Sequence, residues 1–199
     1  MSKPPNQELA GRILEIALEE LNDKPPEKVN MRAIAEKAGV SPTAIYYYYA
    51  SKDELFEHIK FGAMEELNQR LSAADAVAGG AREKLAALVR LAVSWFLERP
   101  HLARLLMDEL PPKDVLTEEG MRKYYGIFFR ARDLLAEGIA EGSLEERDLL
   151  LDVSVAQASI WGIVSQFESK RVHPRFWDSI DPLVDRFIEI FLGKKEGSE

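Results

Sequence analysis

Apolar residues recur every third or fourth position over nearly the whole of this chain, and no stretch of useful length alternates as a strand would. Ala10, Ile13, Leu14, Ala17, Leu18 and Leu21 make one such stripe, which the prolines of NDKPPEK bring to an end. Asn30 is placed to cap a short helix with Met31, Ile34, Ala35 and Ala38 inward, and Gly39 to stop it. Ser41 caps a second short helix over 42–48, with Pro42 in its first position. Ser51 and Glu54 form a capping box that opens a helix to about Leu71. The small residues of DAVAGGA (75–81) mark a boundary. Beyond it the periodicity predicts five helices: 82–99, 101–110 with a stop at Pro111-Pro112, 118–140, one from the Ser143–Glu146 capping box to about Lys170, and 181–192. The tail GKKEGSE is expected to fray. The expected fold is therefore all-α, divided into 1–73 and 74–199, with the helix from about 51 linking the two.

The absence of cysteine removes disulfides, thiolate zinc sites and thiol nucleophiles, which fits a reducing compartment. MSKPPNQELAGR lacks a secretory apolar run, and no stretch is read as a membrane span, so a soluble, cytoplasmic protein without membrane association is expected. The net charge of −8 speaks against a broad basic field, and residues 1–60 carry 8 Lys/Arg against 10 Asp/Glu. Any contact with nucleic acid must then rest on a few placed cations: Lys28, Arg32, Lys37 and Lys52.

The two short helices 30–38 and 42–48, joined by Gly39-Val40-Ser41, have the spacing of a helix-turn-helix, whose second helix lies in a DNA major groove. The stretch AGVSPTAIYYYY puts four tyrosines there. At about 100° per residue they cannot share a face. Ile45 and Tyr49 anchor the helix inward, with Ala44 and Tyr48 on the flank. Thr43, Tyr46 and Tyr47 face outward, where hydroxyls can meet phosphates or base edges. Asn30, Arg32 and Lys37 lie where phosphates would pass, Lys52 is placed for a phosphate contact, and Ser41, Ala44 and Tyr48 complete the candidate DNA-binding set.

MRAIAEKAGVSPTAIYYYYASKDELFEHI resembles the DNA-binding domain of the TetR/AcrR transcriptional regulators. Ile34, Ala35, Ala38, Gly39, Val40, Ser41, Ile45, Tyr46, Ser51, Lys52 and Leu55 match the family's pattern, and the likeness covers about residues 8–65. Tyr48 stands where the family often has His, and Tyr49 where it usually has Phe; the Tyr49 hydroxyl then needs a partner at a core edge. The resemblance implies a repressor that binds double-stranded operator DNA of palindromic sequence, with an effector cavity in the second domain and a homodimer formed by the last two helices. Trp95, Phe96, Met107, Met121, Tyr124, Tyr125, Phe128, Trp161 and Phe167 are the candidate lining residues, which points to a hydrophobic or aromatic effector. Aromatic residues at this spacing also serve as plain core. Stripes that include Val153, Ile160 and Val164, and Val184, Phe187 and Phe191, need cover and are the candidate dimer interface. Their alternative is burial against the domain's own helices.

No cofactor, metal or catalytic residue is expected. The pair Glu98 and His101 has the spacing of a helical metal ligand set, but Pro100 breaks the helix that would present it. A helical-bundle enzyme or a ligand-independent protein-binding module is the competing reading, and neither explains the outward tyrosines.

Overall fold

A computed structural model describes residues 6–108 and 117–193. The expected stop at Pro111-Pro112 and the tail beyond Gly193 lie outside the described residues. The described chain is helical, without a strand: α1 (Gln7–Asp23), α2 (Met31–Ala38), α3 (Ile45–Tyr48), α4 (Lys52–Leu71), α5 (Ala81–Glu98), α6 (Pro100–Asp108), α7 (Glu118–Tyr124), α8 (Gly126–Ala140), α9 (Leu149–Glu168) and α10 (Asp181–Leu192). The described residues fall into two compact units, drawn from 1–65 with 99–120 and from 66–98 with 121–199.

In the first unit Ile13, Ala17, Leu21, Ile34, Ala35, Ile45, Leu55 and Ile59 close the core. The caps form as the sequence dictates. The Asn30 side chain accepts from the Arg32 amide at 2.8 Å, and Gly39 takes the left-handed φ of 73° that ends α2. Ser51 accepts from the Glu54 amide at 3.0 Å, while Glu54 returns to the Ala50 amide at 2.6 Å. Helix α6 packs on α1 and on the tight turn Pro26–Lys28, although sequence order alone groups it with the second part.

In the second unit α5 packs on α8 and α9, and α8 on α9, around Leu85, Leu88, Ala92, Trp95, Leu134, Leu135 and Val164. Two expectations fail here. The helix over 118–140 is broken at Tyr125 (φ −98°, ψ 27°). Gly126 lets the Asn68 side chain come so close that a Cβ would stand 2.9 Å from its amide nitrogen, and the Asn68 oxygen accepts from the Ile127 amide at 2.8 Å. An amide exposed by the break is thus satisfied by a side chain from α4. Second, Ser143 does not open α9. Its hydroxyl and amide both bond the Gly138 carbonyl, closing α8 with Gly142 at φ 73°, and Asp148 caps α9 through the Leu151 amide at 3.1 Å.

Helix α9 also departs from the expectation on membrane spans: at 20 residues and a mean hydropathy of 1.2 it is long and apolar enough to cross one by length and composition. Asp152, Ser154, Gln157, Ser159, Ser165 and Gln166 interrupt it, which is why no unbroken apolar run shows in the sequence. At the C-terminus of α10, Arg82 donates to the Leu192 carbonyl at 2.5 Å and to that of Gly193, and Arg147 to the Phe191 carbonyl at 2.8 Å. Two guanidiniums therefore cap the negative end of α10.

Candidate nucleic-acid interface

Helix α3 is only four residues long, preceded by a turn over 42–44 instead of a helical first turn at Pro42. Its entry is fixed by the Ser41 hydroxyl accepting from the Ala44 amide at 3.0 Å, and by the Ser41 carbonyl accepting from Ala44 and Ile45. Ile45 is fully buried. Tyr49 has left the helix for extended backbone, and its buried ring lies edge-on to His58 with centroids 5.3 Å apart. The Tyr49 hydroxyl donates to the Ala10 carbonyl at 3.1 Å, which supplies the required partner. Burial pushes the Tyr49 hydroxyl above its ordinary pKa.

With those two anchors fixed, Tyr46 and Tyr47 are 49% and 50% exposed, and Ser41 and Thr43 are exposed beside them. Tyr48 and Ala44 are half-buried, and the Tyr48 ring meets that of Tyr47 edge-on at 5.7 Å. Asn30 and Arg32 are exposed at the start of α2.

The cations are less available than the sequence implies. Lys37 donates to Glu20 at 2.5 Å, and Lys24 closes on the same carboxylate, which is 3% exposed. Hydrogen bonds from Lys24 and then Lys37 hold the Glu20 carboxyl below the usual carboxylate range, and the Glu20 partner raises Lys37. Lys52 donates to the Pro26 carbonyl at 2.7 Å, with its ammonium 5.1 Å from the centre of the Phe56 ring. Beside it lies a cavity of about 260 Å³ walled by Pro26, Glu27, Lys52, Asp53, Phe56, Arg104 and Leu105. Internal partners for Lys37 and Lys52 have no signature in the sequence, because both arise from contacts between distant segments.

The candidate effector residues divide. Trp95 and Phe96 are buried, with the Trp95 indole donating to Glu66 at 3.2 Å and Phe96 meeting Trp161 edge-on at 6.2 Å. Tyr124 is buried, and burial pushes its hydroxyl up to about 12. Its ring meets that of Tyr125 at 5.2 Å. Tyr125, Phe128, Trp161 and Phe167 are half-buried, whereas Met121 is exposed. Tyr124 ends α7 and Phe128 lies in α8, on either side of the break at Tyr125. Met107 belongs to the other unit. Glu98 is held by a two-pronged ion pair from Arg70 at 2.5 and 2.6 Å.

The candidate dimer residues divide too. Val153, Val164 and Val184 are buried within the chain, while Ile160, Phe187 and Phe191 are half-buried. The outward apolar side chains of the same helices are Leu150, Leu151, Val155 and Ile190. Apolar residues lie on several sides of α9, so periodicity could not choose the outer one.

A family model described as bacterial regulatory proteins, tetR family, matches residues 13–59. An HTH-type transcriptional regulator of Mycobacterium tuberculosis is 27% identical over 150 residues, a match spanning 71% of this chain but only 62% of that regulator. Among solved structures, a protein of unknown function from Rhodococcus superposes with a TM-score of 0.79 at 20% identity, over 96% of this chain and 97% of that one. The transcriptional regulator FadR from Bacillus subtilis, solved in complex with stearoyl-CoA, gives 0.69 at 21% identity, over 92% and 97%. The two structural likenesses speak to the fold. The match over residues 13–59 and the helix-turn-helix geometry there identify a DNA-binding domain of the tetR family of bacterial regulatory proteins.

Proposed function

We propose that the chain is a homodimeric transcriptional repressor, acting in the cytoplasm, whose residues 1–73 read a palindromic operator and whose residues 74–199 dimerise and take a small hydrophobic or aromatic effector. The observation that carries this reading is the pair Tyr46 and Tyr47, half exposed side by side on a helix whose Ile45 and Tyr49 are locked inward. Large amphipathic rings held open to solvent on a four-residue helix serve recognition better than stability. Thr43 and Tyr47 are assigned to base edges, and Tyr46, Asn30 and Arg32 to the phosphates that set register.

The half-buried rings of Tyr125, Phe128, Trp161 and Phe167 support an effector site of aromatic character. The stearoyl-CoA bound by the Bacillus relative supports an apolar effector in this fold. An effector that prefers the conformation unable to span two successive major grooves lowers operator affinity by the factor by which DNA lowers effector affinity.

Duplexes selected by the wild-type protein from a random-sequence library test the DNA role. Tyr47→Ala should narrow the ratio of selected to random affinity by roughly tenfold or more, the cost of one lost base contact. Equal loss on both duplexes would remove Tyr47 from base readout. A wild-type protein that enriches no duplex would overturn the function itself.

A further inference from the structure

We propose that the turn joining α9 to α10, residues 170–177, is an anion-binding head site, and that the effector is an amphiphile whose apolar or aromatic body ends in a carboxylate or phosphate. The inference rests on the effector reading above and adds a charged end to that molecule.

Just beyond α9, Lys170 stands at φ 54°, a left-handed conformation that side chains resist. Its amide donates to the Phe167 carbonyl at 3.0 Å and the Arg171 amide to that of Gln166 at 2.9 Å, so the end of α9 is closed within the chain. Two side chains then zip the turn. Lys170 donates to the Trp177 carbonyl at 2.6 Å, and the Trp177 indole to the Val172 carbonyl at 3.0 Å. The shape of the turn is thus set by bonds to its own backbone, which leaves the guanidiniums of Arg171 and Arg175 out of its construction.

Lys170, Arg171 and Arg175 are exposed, and among the described residues no carboxylate forms an ion pair with any of them. Elsewhere in the same unit Arg70, Arg90, Arg130 and Arg186 each hold one. Three such cations within residues 170–175 run against the composition of a protein of net charge −8. Aromatic faces carry two of them: the Arg175 guanidinium lies 4.4 Å from the centre of the Phe176 ring, and the Lys170 ammonium 5.0 Å from that of Phe167. His173 Nδ1 accepts from the Arg175 amide at 3.3 Å, which makes its other ring nitrogen a donor. A set of donors of this kind suits a carboxylate or phosphate, and a guanidinium fork meets either with two bonds.

Phe167 makes the link to the effector. Its half-buried ring is one of those assigned to the apolar wall, and the Lys170 ammonium stands beside it. An apolar body lying against Phe167 therefore carries its end group to the cations of the turn.

Decanol, decanoate and decyl phosphate share one apolar chain and differ only in the head group. Calorimetry on the full-length protein, below the aggregation threshold of each probe, measures the three affinities. Wild type should bind the two anions at least about tenfold more tightly than decanol, the effect of one charge-assisted hydrogen bond, and the preference should shrink as salt rises. The double variant Arg171→Ala with Arg175→Ala changes exposed side chains and should keep its helicity, while binding all three probes within about twofold of one another. Equal binding of decanol and the anions by wild type would overturn the head site and leave the apolar effector standing. Failure of all three to bind would overturn the apolar effector as well. An anion preference that survives the double variant would place the head group elsewhere and overturn the assignment. A double variant with a shallower salt slope on the library-selected duplex and an unchanged anion preference would give the turn to DNA phosphates instead.

Discussion

Leu150, Leu151, Val155 and Ile190 stand 57, 60, 52 and 67% exposed, and a charge placed among them gives a sharp test of the proposed dimer. Leu150, Leu151 and Val155 lie in the first turns of α9 and Ile190 near the end of α10, two helix ends that the bond from Arg147 to the Phe191 carbonyl ties together. Fully burying a leucine, isoleucine or valine gains about 1.5–3 kcal/mol, so covering the exposed half of each is worth roughly 1 kcal/mol. A two-fold interface uses every residue twice, which gives the patch a gross contribution of about 8 kcal/mol. That is comparable to the cost of association, about 4–15 kcal/mol, so the half-buried Ile160, Phe187 and Phe191 must contribute as well. Leu151→Glu forfeits about 2 kcal/mol of burial across the two copies and also desolvates a carboxylate on each side. The dissociation constant should rise at least 100-fold, at about 1.4 kcal/mol per factor of ten.

Sedimentation across a concentration series reads that constant, and far-ultraviolet circular dichroism reads the fold. Leu151→Glu should give monomers with unchanged helicity, because the side chain supports little within its own chain. Val164→Glu should behave in the opposite manner. Val164 is fully buried, so the carboxylate enters the core and the helical signal itself falls. A Leu151→Glu protein that dimerises as wild type would move the interface to another surface, and one that loses helicity would show that Leu151 belongs to the core.

Three further outcomes follow from single contacts. Glu20→Gln should cost about 1.5–3 kcal/mol in thermal or denaturant unfolding, since two lysines lose a charged partner. Because the folded-state pKa of Glu20 is depressed, its contribution is present above the unfolded value of about 4.3 and is lost as pH falls through the folded one, so the Gln variant should flatten that part of the acid limb. Tyr49→Phe restores the residue common in the family and removes the donor to the Ala10 carbonyl; about 1 kcal/mol of stability should be lost with selected-duplex discrimination retained. Gly126→Ala places a Cβ 2.9 Å from the Asn68 amide and should cost about 1–2 kcal/mol net, as displacement of Asn68 outweighs the gain in helix propensity. A double-mutant cycle with Asn68→Ala should then show strong non-additivity, and additive losses would separate the two sites.

What the sequence made legible follows the range of the forces involved. Caps and stops at Asn30, Gly39, Ser51 and Gly193 depend on neighbours a few residues away, and each appears at its expected place. The outward set of tyrosines follows from one inward anchor, Ile45, and the helical repeat. The break at Tyr125 was not legible, because it depends on Asn68 arriving from another helix to take up the Ile127 amide. Ser143 misleads for a related reason: a serine three residues before a glutamate fits a helix start, but Gly142 beside it turns the chain out of the preceding helix and the Gly138 carbonyl takes the hydroxyl. Val153, Val164 and Val184 read as interface because periodicity reports that a face is apolar and says nothing of what covers it.

The same reasoning predicts how steeply DNA binding should depend on salt. Four cations in the first 60 residues lie where phosphates could pass, but Lys37 is held by Glu20 and Lys52 by Pro26. Lys28 and Arg32 are exposed. If only these two reach the backbone from each subunit of a dimer, the slope of log K against log salt should be about −4, whereas all four would give about −7. Releasing Lys37 would leave Glu20 buried without one of its two partners, and releasing Lys52 would leave a cation at a helix N-terminus without compensation, so each extra contact is opposed by a cost inside the protein. Titrations of the selected duplex between about 50 and 200 mM salt measure the slope directly. A value near −4 leaves specificity to the hydroxyls and rings of Thr43, Tyr46 and Tyr47, as a protein of net charge −8 requires. A value near −7 would mean that both lysines leave their internal partners on binding, and Glu20→Gln, by freeing Lys37 in advance, should then tighten binding instead of weakening it.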